Sequence, residues 1–516
     1  MSGWSPRLLL GAFALLLACA GCSRREAGVS HQTLRLSQRN EPATLDPQLA
    51  TLPDEFFIIR ALSEGLVTPN PDGGAPLPAV AERWETSADG LTWTFHLREA
   101  KWSNGDPVTT HDFQVSYFEA LLPTRAAPKA PLFFPIKNAK AFYEGKLSNI
   151  FEVGIAIPDK HTLVIILEKP NADFLSIVAS GPWIPRHRDN VGCLEIGPEN
   201  ATTRLSNGPF VLTEWKPNQR IVVKRNPLYW DAANVKLDAI HFLAFDNGDT
   251  EERAFRAGQL DVTMGVPASK LDSYGTATPA LLHTVPLHET RYLALNTSKA
   301  PLNDARVRRA LSLALDRKIL TDKVLKGGQQ PAFTFVPPGL GGYTPAAALT
   351  ENISEARRLL TEAGFPGGKD FPKLELSTWG ASITVLEAIQ QHWHDELGID
   401  VALVQREART HLAALASGDY DLGFVTAIPD YDSPADLLAR FTTGNANNYP
   451  HWSNAEFDRL VAAGKWAEAE GILLSDSPVI PLYFNAKNFL LRPTVHGWHE
   501  DALWTRYYKN VSADEK

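Results

Sequence analysis

The sequence predicts an α/β protein built from more than one lobe, and three observations carry that reading. The chain has 516 residues, which at ~100–200 residues per domain is roughly two to four domains, each able to bury its own core. Its second half alternates short apolar strands with amphipathic helices at βαβ spacing, the pattern of a parallel, doubly wound sheet. Its first half is richer in period-2 segments with helices set among them, and reads as a less regular α/β body.

The elements follow in order. Gln32 to Ser37 alternates as an opening strand, and Glu55 to Glu64 places Phe56, Ile59 and Leu62 on one helical face. Gly90 leads a period-2 strand through Arg98. Ser103-Asn104-Gly105-Asp106-Pro107 is turn chemistry, after which Thr109, Thr110 and Asp112 open a helix running to Leu121. Thr162 to Leu167 and Arg220 to Lys224 are further strands. Pro301 to Lys326 carries an amphipathic helix, with Val307, Ala310, Leu311, Ala314 and Leu315 at helical spacing. Ile353 to Ala363 is a helix stopped by Gly364 and Pro366. Then come strand Leu374–Ser377, helix Ile383–Glu396, strand Val401–Val404, a helix from about Arg409 to Ser417, and strand Tyr420–Thr426. Parallel sheets of this kind place ligands beyond the strand C-termini, which points to the segment after Thr426.

Composition narrows the function classes. Fifty Lys+Arg against 59 Asp+Glu give a net charge of −9, which argues against a nucleic-acid partner. With 44% apolar and 21% charged residues the chain is neither disordered nor fibrous. Enzyme templates find no match: there is no Gly-x-Ser-x-Gly, no phosphate-binding loop and no His-Glu-x-x-His. Asp246-Asn247-Gly248-Asp249 reads as a turn and His187 as part of a surface loop. His392 and His394, two positions apart on a helix, point ~200° apart and cannot share one ion. No cofactor or metal is expected, and the chain is not read as an enzyme.

The first thirty residues are different. Arg7 precedes an apolar run from Leu8 to Ala18, too short at roughly 16 Å to cross a bilayer and suited to an export signal. Leu16-Leu17-Ala18-Cys19-Ala20-Gly21-Cys22-Ser23 resembles a bacterial lipobox, in which a cysteine becomes the first mature residue and carries lipid. Cys22 follows the more usual small pair and precedes Ser23; Cys19 is the alternative register. Residues 1–21 are then the signal and 22–33 a polar tether. Of the three cysteines only Cys193 remains in the body, so no internal disulfide is available.

A string of further segments resembles one family. Asn40-Glu41-Pro42-Ala43-Thr44-Leu45-Asp46-Pro47, Leu62-Ser63-Glu64-Gly65-Leu66 and Ala79-Val80-Ala81-Glu82-Arg83-Trp84 are the first matches. Trp93 to Arg98, Lys101 to Thr109, Asp112-Phe113, Asn207-Gly208-Pro209-Phe210 and Asn226-Pro227-Leu228-Tyr229-Trp230 come next. Arg256 to Asp261, Asn303 to Leu311 and Pro478 to Tyr483 complete the order. Together they resemble solute-binding protein family 5, the oligopeptide- and dipeptide-binding lipoproteins of ABC importers, from about residue 34 to 510. The resemblance implies a type II periplasmic-binding-protein fold with two hinged lobes, the N-terminal lobe carrying an extra α/β subdomain. Lobe I is expected from 34–47, 186–288 and 490–510, the inserted subdomain from 48–185, and lobe II from 289–489. It implies an extracytoplasmic, lipid-anchored monomer that binds a short peptide between its lobes, chiefly through the peptide main chain, and delivers it to membrane permease subunits.

Site residues carry over one by one. Asp430, in Asp430-Tyr431-Asp432-Ser433-Pro434, matches the family's acidic partner of the peptide α-ammonium. Trp393 matches a cleft aromatic, Tyr292 and Tyr483 are similar carry-overs, and Glu64 sits where the smaller lobe approaches the peptide backbone. Departures fall at Val115, Met264-Gly265, Phe424, Glu289 and Ile428, and imply a more apolar pocket. The same fold with another solute, such as a nickel chelate, haem, opine or oligosaccharide, is the alternative, and an exported hydrolase a remoter one.

Overall fold

The computed structural model describes residues 32–188, 198, 203–380 and 383–514. The signal, Cys19, Cys22 and Cys193 lie outside the described residues. No described helix is long and apolar enough to cross a membrane.

The first lobe is built on a four-stranded sheet ordered Thr33–Gln38, Ala239–Ala244, Arg220–Arg225, Phe210–Lys216. The first pair is parallel and the others antiparallel. Alternation decides its faces: Leu34 and Leu36 point inward to meet Phe210, Ile240 and Phe242. Helix Pro53–Leu62 covers that face with Ile58, Ile59 and Leu62. Its start is fixed by Pro53 in the first turn and by Glu55, whose carboxylate accepts the Thr51 and Leu52 N–H groups at 2.8 and 3.0 Å.

The inserted subdomain has a separate core, running from Leu66 to Trp183. The expected boundary at residue 48 is therefore corrected to about residue 65, because the apolar face of helix Pro53–Leu62 is taken up by the first-lobe sheet. The subdomain sheet is antiparallel, ordered Ala81–Thr86, Thr92–Leu97, Thr162–Ile166, Ile155–Ala156. Helix Thr110–Leu121 packs on it, started by the Thr109 N–H bond to Asp112 Oδ2 at 2.8 Å. A buried ion cluster ties subdomain to lobe: Asp46 Oδ2 accepts from Arg125 at 2.6 Å and Arg186 at 2.7 Å. His187, read as surface, is in fact buried against Asp106 Oδ2 at 3.1 Å and edge-on to Trp102.

The second lobe contains a six-stranded sheet ordered Gln330–Pro331, Val479–Leu490, Leu282–Leu295, Leu422–Ala427, Leu374–Trp379, Val401–Arg406. Only the last three strands are mutually parallel. Leu282–Leu295 runs antiparallel to both neighbours, so the expected doubly wound parallel sheet is a mixed one. The missed strands carry Pro286 and several polar residues and lack a clean period of two. Helices cover both faces, with Leu311, Trp393 and Phe424 in one core and Tyr292, Phe441 and Leu473 in the other.

The helix expected over Pro301 to Lys326 is interrupted. Ala305–Leu313 ends at Ala314, and Asp316 caps a new start by accepting the Ile319 N–H at 2.8 Å. The break lets fully buried Arg317 donate from Nε to the Pro481 carbonyl at 2.8 Å, while burial pushes its guanidinium down to about 10. Asp246–Asp249 is a helix start, with Asn247 Oδ1 accepting the Asp249 and Thr250 N–H groups.

Candidate functional site

Two long strands, Leu282–Leu295 and Val479–Leu490, run side by side through both lobes. Phe489 packs in the first-lobe core, whereas Leu293, Leu295, Ile480 and Leu482 pack in the second. Between them the pairing register shifts from Pro286 to Thr290, because proline has no N–H for the ladder. His288 there donates its N–H to Ala502 O at 2.8 Å, and Glu289 accepts from Asn485 at 3.0 Å and Trp504 Nε1 at 3.1 Å. The C-terminal loop 499–505 is thus strapped to the point where the lobes join.

Beside this joint lies a cavity of about 530 Å3, within the usual range for small-molecule sites. Phe56 and Arg60 line it from the first lobe, Lys129 and Ser176 from the subdomain, and Ile428 to Asp432 from the second lobe. His288 and the loop from His499 to Thr505 close its back. Apolar walls come from Phe56, Pro69, Pro286, Ile428 and Leu503.

Asp430 is presented by local geometry. Strand Leu422–Ala427 ends at the cavity, and helix Pro434–Leu438 starts just beyond, capped by Ser433 Oγ on the Ala435 N–H at 3.1 Å. In that helix Asp436 accepts the Asp430 N–H at 3.1 Å. Asp436 in turn accepts from Arg440 at 2.8 Å. Burial raises the Asp436 carboxyl above its ordinary value; Arg440 opposes the shift and the neighbouring Asp430 charge adds to it. The Asp430 carboxylate itself faces the cavity and forms an ion pair with Lys129 Nζ.

The basic groups are Arg60, Lys129, His288 and His499. Arg60 donates to Ala179 O at 3.1 Å, and burial lowers its pKa while Tyr507 and Asp501 oppose. His288 Nδ1 and His499 Nε2 are buried without a hydrogen-bond partner. Burial lowers the His288 pKa, with Asp432 and Asp501 opposing. The wall therefore offers one well-placed carboxylate, unused imidazole nitrogens and apolar surface, a combination suited to holding a polar ligand. Among the described residues no three-residue metal cluster occurs.

Of the five carried-over site residues Asp430 alone lines the cavity, and of the departures Ile428 does while Met264, Gly265 and Phe424 do not. The cleft role expected of Trp393 is corrected: it is fully buried in the second-lobe core, with Nε1 donating to Leu311 O at 3.1 Å. Phe424 lies in the same core, 5.8 Å from Trp379, because the inward face of its strand meets helices rather than ligand space. Tyr292 is held between the Phe335 and Phe441 rings at 5.1 and 6.1 Å, and Tyr483 is buried beside the sheet. Glu64 accepts from Tyr229 and from Trp230 Nε1 at 2.9 Å, an internal clamp. Met264 is buried, with its N–H on Ser37 Oγ and its sulfur on Arg506, and Gly265 lies against Arg39. Sequence reasoning missed Lys129, His288 and the 499–505 loop. Lys129 sits in an Ala- and Pro-rich loop, and nothing local marks its partner 301 residues away.

Two lobes on paired long strands, with a ligand-sized cavity at their joint, define a two-lobed solute-binding protein. The chain belongs to the bacterial extracellular solute-binding proteins, family 5, whose middle region matches residues 75–449. It is 32% identical over 496 residues to the periplasmic murein peptide-binding protein MppA of Escherichia coli, covering 91% of each chain. The solved structure of that murein tripeptide binding protein superposes with a TM-score of 0.83 over 94% of this chain and 99% of the other. The periplasmic oligopeptide-binding protein OppA of Salmonella typhimurium is 32% identical, covering 99% of both chains. The Haemophilus influenzae OppA complex with RPPGFSPFR gives a TM-score of 0.81 at 30% identity, over 94% of this chain and 99% of that one.

Proposed function

We propose that this protein is the extracytoplasmic binding component of an ABC importer, taking up short peptides in the interlobe cavity and handing them to membrane permease subunits. The observation that carries the reading is Asp430. Just past the end of a strand, the Asp430 carboxylate faces the cavity while its backbone N–H is held by the Asp436–Arg440 pair. A ligand's desolvated α-ammonium needs such a partner. The family membership and the peptide-binding relatives support the same ligand class. Lipid attachment at Cys22, with Cys19 as the alternative, and a monomeric state belong to this reading. The protein acts by binding and release, without covalent chemistry.

Calorimetry with tripeptides tests it. A free-amine peptide is expected to bind at least tenfold more tightly than its N-acetylated form, and Asp430→Asn to erase that difference. Equal affinity for the two forms in the wild-type protein would remove Asp430 from the role. Mass spectrometry of the N-terminal peptide checks the lipidated cysteine.

A further inference from the structure

The Asp430 carboxylate already has a cation. Lys129 Nζ, from the subdomain, pairs with it inside the cavity, and both side chains are only about a quarter exposed, at 24% and 27%. Lys129 projects from a firm base. It precedes the short helix Ala130–Phe133, whose Ala130 and Phe133 are buried, and its carbonyl accepts the Leu132 N–H at 3.0 Å. Two further contacts join the same second-lobe segment to the same subdomain. Tyr431 packs against the subdomain core, and Ser433 lies beside the Asp173 carboxyl. An exposed ion pair alone contributes little, but here the pair is one of three contacts closing one seam.

Charge counting gives the pair its consequence. Within this cluster the Asp430 and Asp436 carboxylates are matched by Lys129 and Arg440, while Asp432 and Asp501 add negative charge to the same cavity wall. A ligand ammonium and the Lys129 ammonium would contend for the one Asp430 carboxylate, and two cations held side by side in a partly desolvated cleft repel each other. We infer that Lys129 is a built-in competitor for the Asp430 carboxylate: it latches the subdomain to the second lobe when the cavity holds no ligand, and a ligand's ammonium displaces it. The latch rests on the contacts described; the displacement rests also on the proposed peptide reading. Lys129 is thereby a specificity-determining residue, since only a ligand bearing a cationic amine replaces the charge that it removes.

The test pairs small-angle scattering of the ligand-free protein with calorimetry, using trialanine and N-acetyl-trialanine. Lys129→Met and Asp430→Asn are each expected to raise the ligand-free radius of gyration, and the double variant no further than either single one. Lys129→Met is expected to tighten trialanine binding about tenfold and to leave the acetylated peptide unchanged. An unaltered radius in Lys129→Met overturns the latch, and unaltered or weaker trialanine binding overturns the competition. If trialanine binds neither form while the radius still rises, the peptide reading fails and the latch stands.

Discussion

The backbone N–H of Asp430 points at Asp436 Oδ2, 3.1 Å away, and Asp436 is itself fixed by Arg440 at 2.8 Å. The residue facing the ligand space is thus oriented through a mostly buried neighbour that does not line the cavity.

Asp436 is a positioning residue on this account. Asp436→Asn keeps the shape but gives up one charge of the buried pair, with a cost of ~3–5 kcal/mol as the upper range for breaking such a pair. Free-amine peptide affinity should fall while that of N-acetylated peptide is spared. Calorimetry on the folded variant checks the split, and a purely structural role would lower both equally.

Trp393 makes the opposite prediction. Being fully buried with its indole N–H on Leu311 O, its replacement by Ala should destabilise the second lobe by ~3–5 kcal/mol. Peptide affinity of the protein that remains folded should not change. Urea unfolding and calorimetry measured side by side distinguish a core residue from a cleft one.

Asp46 holds Arg125 and Arg186 with no exposure of its own. Asp46→Ala leaves Arg125 and Arg186 to share the Glu119 carboxylate, 3.9 and 3.1 Å away, and should cost up to ~3–5 kcal/mol. The loss should appear as lower denaturant resistance of the subdomain–lobe junction, measured by hydrogen exchange around residues 119–125 and 186.

His411 predicts a pH effect. Its Nε2 lies 2.9 Å from the Phe424 carbonyl and must carry the proton, leaving Nδ1 buried without a partner. Burial lowers its pKa below 6.5, with the Phe424 hydrogen bond opposing. The unfolded chain therefore takes up this proton first. Its stability contribution is full above about pH 6.5 and is lost as pH falls through the depressed folded value. Unfolding free energy should decline below that pH, and His411→Phe should flatten the decline.

Much of the architecture was legible from side-chain periodicity, which is a local property. Strand Thr33–Gln38, helix Thr110–Leu121 and the segments from Leu374 to Ala427 lie within a few residues of their expected bounds. The boundary at helix Pro53–Leu62 was not legible, because an amphipathic helix does not say which sheet will cover its face. Nor was the long strand Leu282–Leu295, whose pairing is with residues up to 208 positions away at Leu490.

By itself the sequence determined the α/β class, the two-part organisation, the family and the Asp430 motif. Each of these is written in residue type at short spacing. The tertiary structure decided the rest: that Trp393, Tyr292 and Phe424 serve cores, that His288 and the 499–505 loop form the cavity's back wall, and that Lys129 meets Asp430. Those outcomes depend on which distant surfaces compete for the same apolar face or the same charge. That competition is resolved only when the whole chain packs.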